Sequence, residues 1–289
     1  MSKQASVRPR RRGNTVWAMV LSWLSSLLLT LLAVCLVLLT TLCSASFMKA
    51  QVNRSDFSEA AYSYLYDNFI SYGAASGFSA DVMTSALSRE QITSDMEQSI
   101  TWLYEGDTAQ DTRNGILNTT YDNMIADLKD RGVDVTSDIE SAVVVVADAC
   151  RQDYANYVTV PLASQLYTFI EKCNRIVPIA VCVMAVLCAV SLFLTIRLAG
   201  TSKFGVRCLT FTFTAAAVLC IIGATALFPA MHLNNLSISP ASVKQLVITY
   251  VGSLFGRFGL FALVYGAVAV ILLALTFTAG SRTKRRQNT

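Results

Sequence analysis

Arg175-IVPIAVCVMAVLCAVSLFLTI-Arg197 is the stretch that decides the fold. Its 21 central residues contain no Asp, Glu, Lys, Arg or His, and an arginine closes each end. A helix crosses a bilayer with about 20 apolar residues, so this run has the length and composition of a membrane span. Three more runs share that character: Val16 to Cys43, Leu209 to Phe228 and Phe258 to Ala279. The whole chain of 289 residues is 54% hydrophobic and only 15% charged, the balance of an integral membrane protein rather than a soluble one.

Charge then orients the spans. All 19 acidic residues lie between Asp56 and Glu171. The amino-terminal tail carries Lys3, Arg8, Arg10, Arg11 and Arg12; the link after the second span carries Arg197, Lys203 and Arg207; the carboxy-terminal tail carries Arg282, Lys284, Arg285 and Arg286. The positive-inside rule puts these three basic segments in the cytoplasm. The segment from Lys49 to Asn174 has 8 Lys and Arg against 19 acids, a net charge of −11, and falls outside. Trp17 and Trp23 fit an aromatic belt near the inner end of the first span. That span is about twice as long as the 7–15 residue core of a cleaved signal peptide, so it reads as an anchor.

The expected division follows. A cytoplasmic tail covers 1–15, span one 16–48, an acidic extracellular domain 49–174 and span two 175–199. A cytoplasmic loop covers 200–208, span three 209–228, an extracellular loop 229–257, span four 258–280 and a cytoplasmic tail 281–289. The expected fold is all-α: a four-transmembrane-helix bundle with an all-helical extracellular domain inserted between helices one and two. The expected location is the plasma membrane, multi-pass, with both termini cytoplasmic.

Local signals place helices in the outer domain. Asp56 with Glu59 resembles a capping box, opening a helix through Tyr62, Leu65 and Phe69 that Gly73 or Gly77 closes. Ser88 with Gln91 opens a second, through Ile92, Met96, Ile100 and Leu103, that stops at Gly106. A third runs from about Thr108 to Arg131, before Gly132; Ser137 with Glu140 opens a fourth, through Val143, Ala147 and Cys150. Pro161 sits at the first turn of a fifth, with no stop signal before Ala199. Ser239-Pro240 is a start signal for another long helix leading into span four. Both helices are longer than the ~30 Å hydrocarbon core requires, which predicts either a stalk or, through Gly252, Gly256 and Gly259, a bend of the second onto the outer membrane surface.

Chemical motifs are sparse. There is no G-x-S-x-G, no Walker A and no HExxH. His232, the single histidine, and Arg257 are the candidate contacts for a lipid or ligand at the outer leaflet. Asp107 with Asp111, and Asp127 with Asp130 and Asp134, lack the EF-hand spacing, so neither a metal nor another cofactor is expected. Cys150 and Cys173 are the one pair in the outer domain that an oxidising compartment could bridge. Tyr62, Tyr64, Tyr66 and Tyr72 form either a binding surface or the amphipathic rim of a core. Gly252, Gly256, Gly259 and Gly266 share one face of span four with Ala262 and Ala269, a surface for close helix packing within the bundle or against a partner. Membrane lipids, a membrane-protein partner or a second copy are the expected partners. The acidic domain disfavours nucleic acid, and spans free of ionisable residues disfavour an ion-coupled carrier.

Ser76-Gly77-Phe78-Ser79-Ala80-Asp81-Val82, the segment Asp95 to Ile100, and Leu103-Tyr104-Glu105-Gly106, taken with the span layout, resemble uncharacterised four-span integral membrane proteins of Gram-positive bacteria. That resemblance implies a helical extracytoplasmic domain between spans one and two, and no particular activity. Tetraspanins put their large loop between spans three and four, and claudins carry a Trp and Cys signature that this chain lacks. The reading is therefore a non-enzymatic binding, sensing or complex-forming protein acting through its outer domain. The alternative is a membrane enzyme or lipid-handling protein at the outer leaflet.

Overall fold

The computed structural model describes residues 12–106, 114–160, 163–199, 202–227 and 241–285. Those residues are all-helical, without strands. In chain order the helices are α1 (Arg12–Thr41), α2 (Ala45–Arg54), α3 (Phe57–Ser76), α4 (Ala80–Thr84), α5 (Arg89–Glu105), α6 (Asn114–Asp130), α7 (Ser137–Val158), α8 (Ala163–Leu198), α9 (Ser202–Ile222) and α10 (Ala241–Arg285). A π-helical turn, Gly223–Leu227, follows α9. Four helical stretches are long and apolar enough to cross a membrane: Thr15–Thr41, Gln165–Leu198, Lys203–Thr225 and Val243–Phe277. The chain is a multi-pass membrane protein by that measure.

The chain divides into two compact units. A helical domain comprises Thr40–Asn174 and His232–Gly252; an apolar unit comprises Met1–Leu39, Arg175–Met231 and Ser253–Thr289. Helices α8 and α10 have 36 and 45 residues, so each exceeds the length a span alone needs. The helix of α10 continues unbroken through Gly252, Gly256 and Gly259.

In the helical domain most terminal signals act as their chemistry dictates. Ser88 Oγ accepts from the Gln91 amide at 3.0 Å and starts α5. Gly77 and Gly106 close α3 and α5 in the left-handed region, with φ of 79° and 75°. Asp56 caps α3 by position, but its side chain makes no capping hydrogen bond. Thr136 rather than Ser137 holds the cap position of α7. The described part of the third expected helix begins at Asn114. One expectation fails: span one does not continue as helix to residue 48. The chain leaves α1 after Thr41, and Ser44 accepts from the Phe47 amide to start α2. The short helix α4 had no counterpart in the sequence reading.

The helical spacing explains the core. Phe57, Ala61, Leu65 and Phe69 recur every four residues on α3 and are all fully buried. They meet Ile92, Met96 and Ile100 of α5, Met124 of α6, and Val143, Cys150 and Tyr154 of α7. Burying each such large side chain contributes about 1.5–3 kcal/mol. One carboxylate lies within this core. Asp95 is 5% exposed and accepts from Tyr154 Oη at 2.6 Å and Gln91 Nε2 at 2.7 Å. Those bonds replace the water that burial takes from a polar group. The tyrosine run is mainly rim. Tyr62 stacks on Tyr66, Tyr64 packs on Tyr157, and Tyr72 Oη donates to Asp153 at 2.7 Å.

The apolar unit is inverted in character. Its interior is rich in small residues, with Ala33, Cys188, Ala216, Ala217, Cys220 and Ala262 beside Leu29 and Tyr265, while Val186, Leu263 and Phe277 point outward. Small contacts bring helix backbones close. Hydroxyls join the helices: Ser22 Oγ lies 2.8 Å from Thr212 Oγ1, Ser25 Oγ lies 2.6 Å from Ser191 Oγ, and Tyr265 Oη donates to the Leu29 carbonyl at 3.0 Å.

Two outcomes test these local arguments. A methyl group at Gly106 would stand 2.5 Å from the Tyr167 ring, whereas one at Gly77 meets nothing within 4 Å. Both substitutions incur left-handed strain of about 1–2 kcal/mol, and Gly106→Ala must also displace the Tyr167 ring. Chemical denaturation should rank Gly106→Ala below Gly77→Ala in stability. For pH, the bond to Asp153, then burial, raises the Tyr72 phenol to about 12. A raised folded pKa gives stability that is whole below the unfolded value of about 10 and is lost as pH rises through about 12. Tyr72→Phe should flatten the loss of helical circular dichroism across that alkaline window.

Candidate functional site

An apolar cavity of about 250 Å³ lies within the helical domain. Four helices and two connecting residues build it. Leu42 follows α1, and Met48 and Gln51 come from α2; Met96, Leu103 and Tyr104 come from α5. Val160 precedes α8, which supplies Leu166, Phe169 and Ile170; α10 supplies Val243, Leu246, Val247 and Tyr250. The α10 residues are spaced i, i+3, i+4 and i+7, one face of a helix. The same periodicity turns Met96 and Leu103 of α5 inward.

Polar atoms around the cavity are already bonded to protein. Tyr104 Oη donates to the Leu42 carbonyl at 2.8 Å, tying α5 to the turn after α1. Gln51, fully buried, donates its amide to the Phe47 carbonyl at 3.2 Å. Phe47 packs edge-on against Tyr250 with ring centroids 5.6 Å apart. Burial first, and then Tyr250 and Cys43, raise the Tyr104 phenol above its ordinary value, so it stays protonated as a donor. The space therefore offers dispersion and hydrophobic contact, with no charged group on its wall. Small-molecule sites occupy about 300–1,000 Å³; this cavity is at the lower edge and suits one slender apolar group.

The residues singled out in the sequence take separate places. His232, Asp107 and Asp111 lie outside the described residues. Arg257 is on α10, partly buried, in the apolar unit. Among the described residues no cluster of three or more His, Cys, Asp or Glu could hold a metal. Asp127 is instead paired with Arg131 one turn on. Cys150 and Cys173 are both free. Helix α7 turns Cys150 into the core, whereas Cys173 is partly exposed on α8, within electrostatic reach of Cys43. On α10, Ala262 and Ala269 are buried, but a Cβ at Gly256, Gly259 or Gly266 would meet nothing within 4 Å. The close approach expected of the whole stripe is thus made by its alanines.

The cavity itself was absent from the sequence reading. Leu42 and Met48 were absorbed into an overlong first span. One signal was available: the stripe Val243, Leu246, Val247 and Tyr250 precedes the expected start of span four at Phe258, and an apolar face outside the hydrocarbon needs a partner.

No protein-family model matches the chain, and neither curated proteins nor solved structures show a significant match.

Thiol chemistry checks the placement of the cysteines. Burial first, and then Asp153, push the Cys150 thiol up to about 12, and the thiolate is the reactive form. Maleimide should modify Cys173 in the folded protein and Cys150 only after denaturation, and intact mass should be the same with and without reductant.

Proposed function

We propose that the chain is a multi-pass plasma-membrane protein with cytoplasmic termini, whose acidic helical domain lies outside and binds a single acyl chain of a membrane lipid. It acts as a binding or sensing protein rather than a catalyst. The observation that carries this reading is the apolar cavity. Its wall lacks charge, its hydroxyl and amide groups are already bonded, and nothing on it would discriminate a polar head. A ligand there is held by area, at about 25 cal/mol per Å² of apolar surface removed from water.

The source of the chain follows from the sequence around the lining. Leu166, Phe169, Ile170, Val243, Leu246, Val247 and Tyr250 belong to the same helical stretches that are apolar enough to cross a membrane. A lipid tail is the apolar group most concentrated beside such helices. The basic tails and loop around an acidic domain support the outer placement.

Oleate binding to the full-length protein, delipidated in detergent and followed by isothermal titration, tests the reading. Val247→Phe narrows the cavity from a partly exposed position. It should weaken oleate binding at least about tenfold, close to 1.4 kcal/mol, without lowering the thermal midpoint. Binding unchanged in folded Val247→Phe, or no saturable binding by the wild type, would overturn the proposal.

A further inference from the structure

Arg207 occupies the second turn of α9, in the apolar unit. Among the described residues it has no ion pair, hydrogen bond or ring contact. It is exposed, and it borders two separate grooves. One groove, about 440 Å³, runs between α9 and α10 and is walled by Thr210, Thr214, Leu273 and Phe277. The other, also about 440 Å³, runs between α1 and α9 and is walled by Met19, Trp23 and Phe204. Arg207 and Phe211 belong to both, so they form the ridge that separates them.

The chemistry of the ridge calls for an anion. Arginine is costly near hydrocarbon when unpaired, and its planar fork matches phosphate oxygens. The amino-terminal end of a helix also favours negative charge, and α9 has no acidic residue in its first turn. Arg207 lies one turn inside that end, exposed and with its charge uncompensated among the described residues. The Thr210 and Thr276 hydroxyls are spent on the Val206 and Leu273 carbonyls, so the guanidinium is the charged donor on the groove wall. Below it both grooves are lined chiefly by apolar groups.

We propose that this ridge binds one anionic diacyl phospholipid, with its phosphate on Arg207 and one acyl chain in each groove. Basic pockets between membrane helices hold anionic headgroups in this way. The two-groove geometry distinguishes a two-chain lipid from a free phosphate, which would use the arginine alone. This site is separate in residues from the cavity of the helical domain.

The test is native mass spectrometry of the full-length protein, released into detergent from nanodiscs containing phosphatidylglycerol and phosphatidylcholine. Wild type should retain one phosphatidylglycerol in preference to phosphatidylcholine. Arg207→Ala should reduce that retention at least about tenfold, while Arg257→Ala keeps it. Thr214→Trp leaves the charge and fills the α9–α10 groove, and it too should lose the lipid. Helical circular dichroism checks that each variant is folded; the exposed position of Arg207, without a partner among the described residues, makes its substitution a mild one. Equal retention of both lipids by the wild type would overturn the proposal. So would phosphatidylglycerol retention by folded Arg207→Ala or by folded Thr214→Trp.

Discussion

A peptide amide in hydrocarbon has no water to bond to, and leaving it unpaired costs several kcal/mol. Every other feature of this chain is arranged around that constraint. Four stretches satisfy it as helices whose side chains are almost wholly apolar. Once the backbone is satisfied within each helix, hydrophobicity no longer drives the helices together, because lipid is as apolar as leucine. Association must come from close contact and from hydrogen bonds. The apolar unit uses both: an interior rich in Ala and Cys beside Leu29 and Tyr265, and hydroxyl pairs such as Ser22 with Thr212 and Ser25 with Ser191.

The helical domain solves the opposite problem. Its helices sort apolar from polar at the 3.6-residue period, and the core of α3, α5 and α7 follows from that sorting. Polar groups enter the core only where partners wait. Asp95 is held by Tyr154 and Gln91. Both of its oxygens are bonded, whereas the cavity near Tyr104 is open and apolar, with Gln51 and Tyr104 turned to backbone carbonyls. That contrast is why the cavity, rather than the buried carboxylate, is the candidate for binding.

Much of this was legible along the chain. Charge-free runs announce the spans, and the glycines after α3 and α5 end those helices because a left-handed residue tolerates no Cβ cheaply. Other features were not legible, for identifiable reasons. Ser44 follows the apolar run that ends at Cys43, and composition alone does not say that a new helix starts there, since a cap depends on one hydroxyl meeting one amide. The glycine face of α10 has the right period for packing, but period does not say which residues meet a neighbour; the alanines do. Cys150 and Cys173 were the only outer-domain pair by count, yet the helix phase of α7 buries the former.

The sequence by itself determined the all-α class, the four apolar helices and the segregation of every carboxylate into one segment, because these depend on composition and local period. Tertiary structure decided which residues share a space. The cavity joins Leu42, Tyr104, Phe169 and Tyr250, and the arginine ridge joins grooves built from α1, α9 and α10. Such meetings depend on the phase and crossing of helices distant in the chain. Side-chain volume and hydrogen-bond geometry set these in three dimensions, and no one-dimensional pattern encodes them alone.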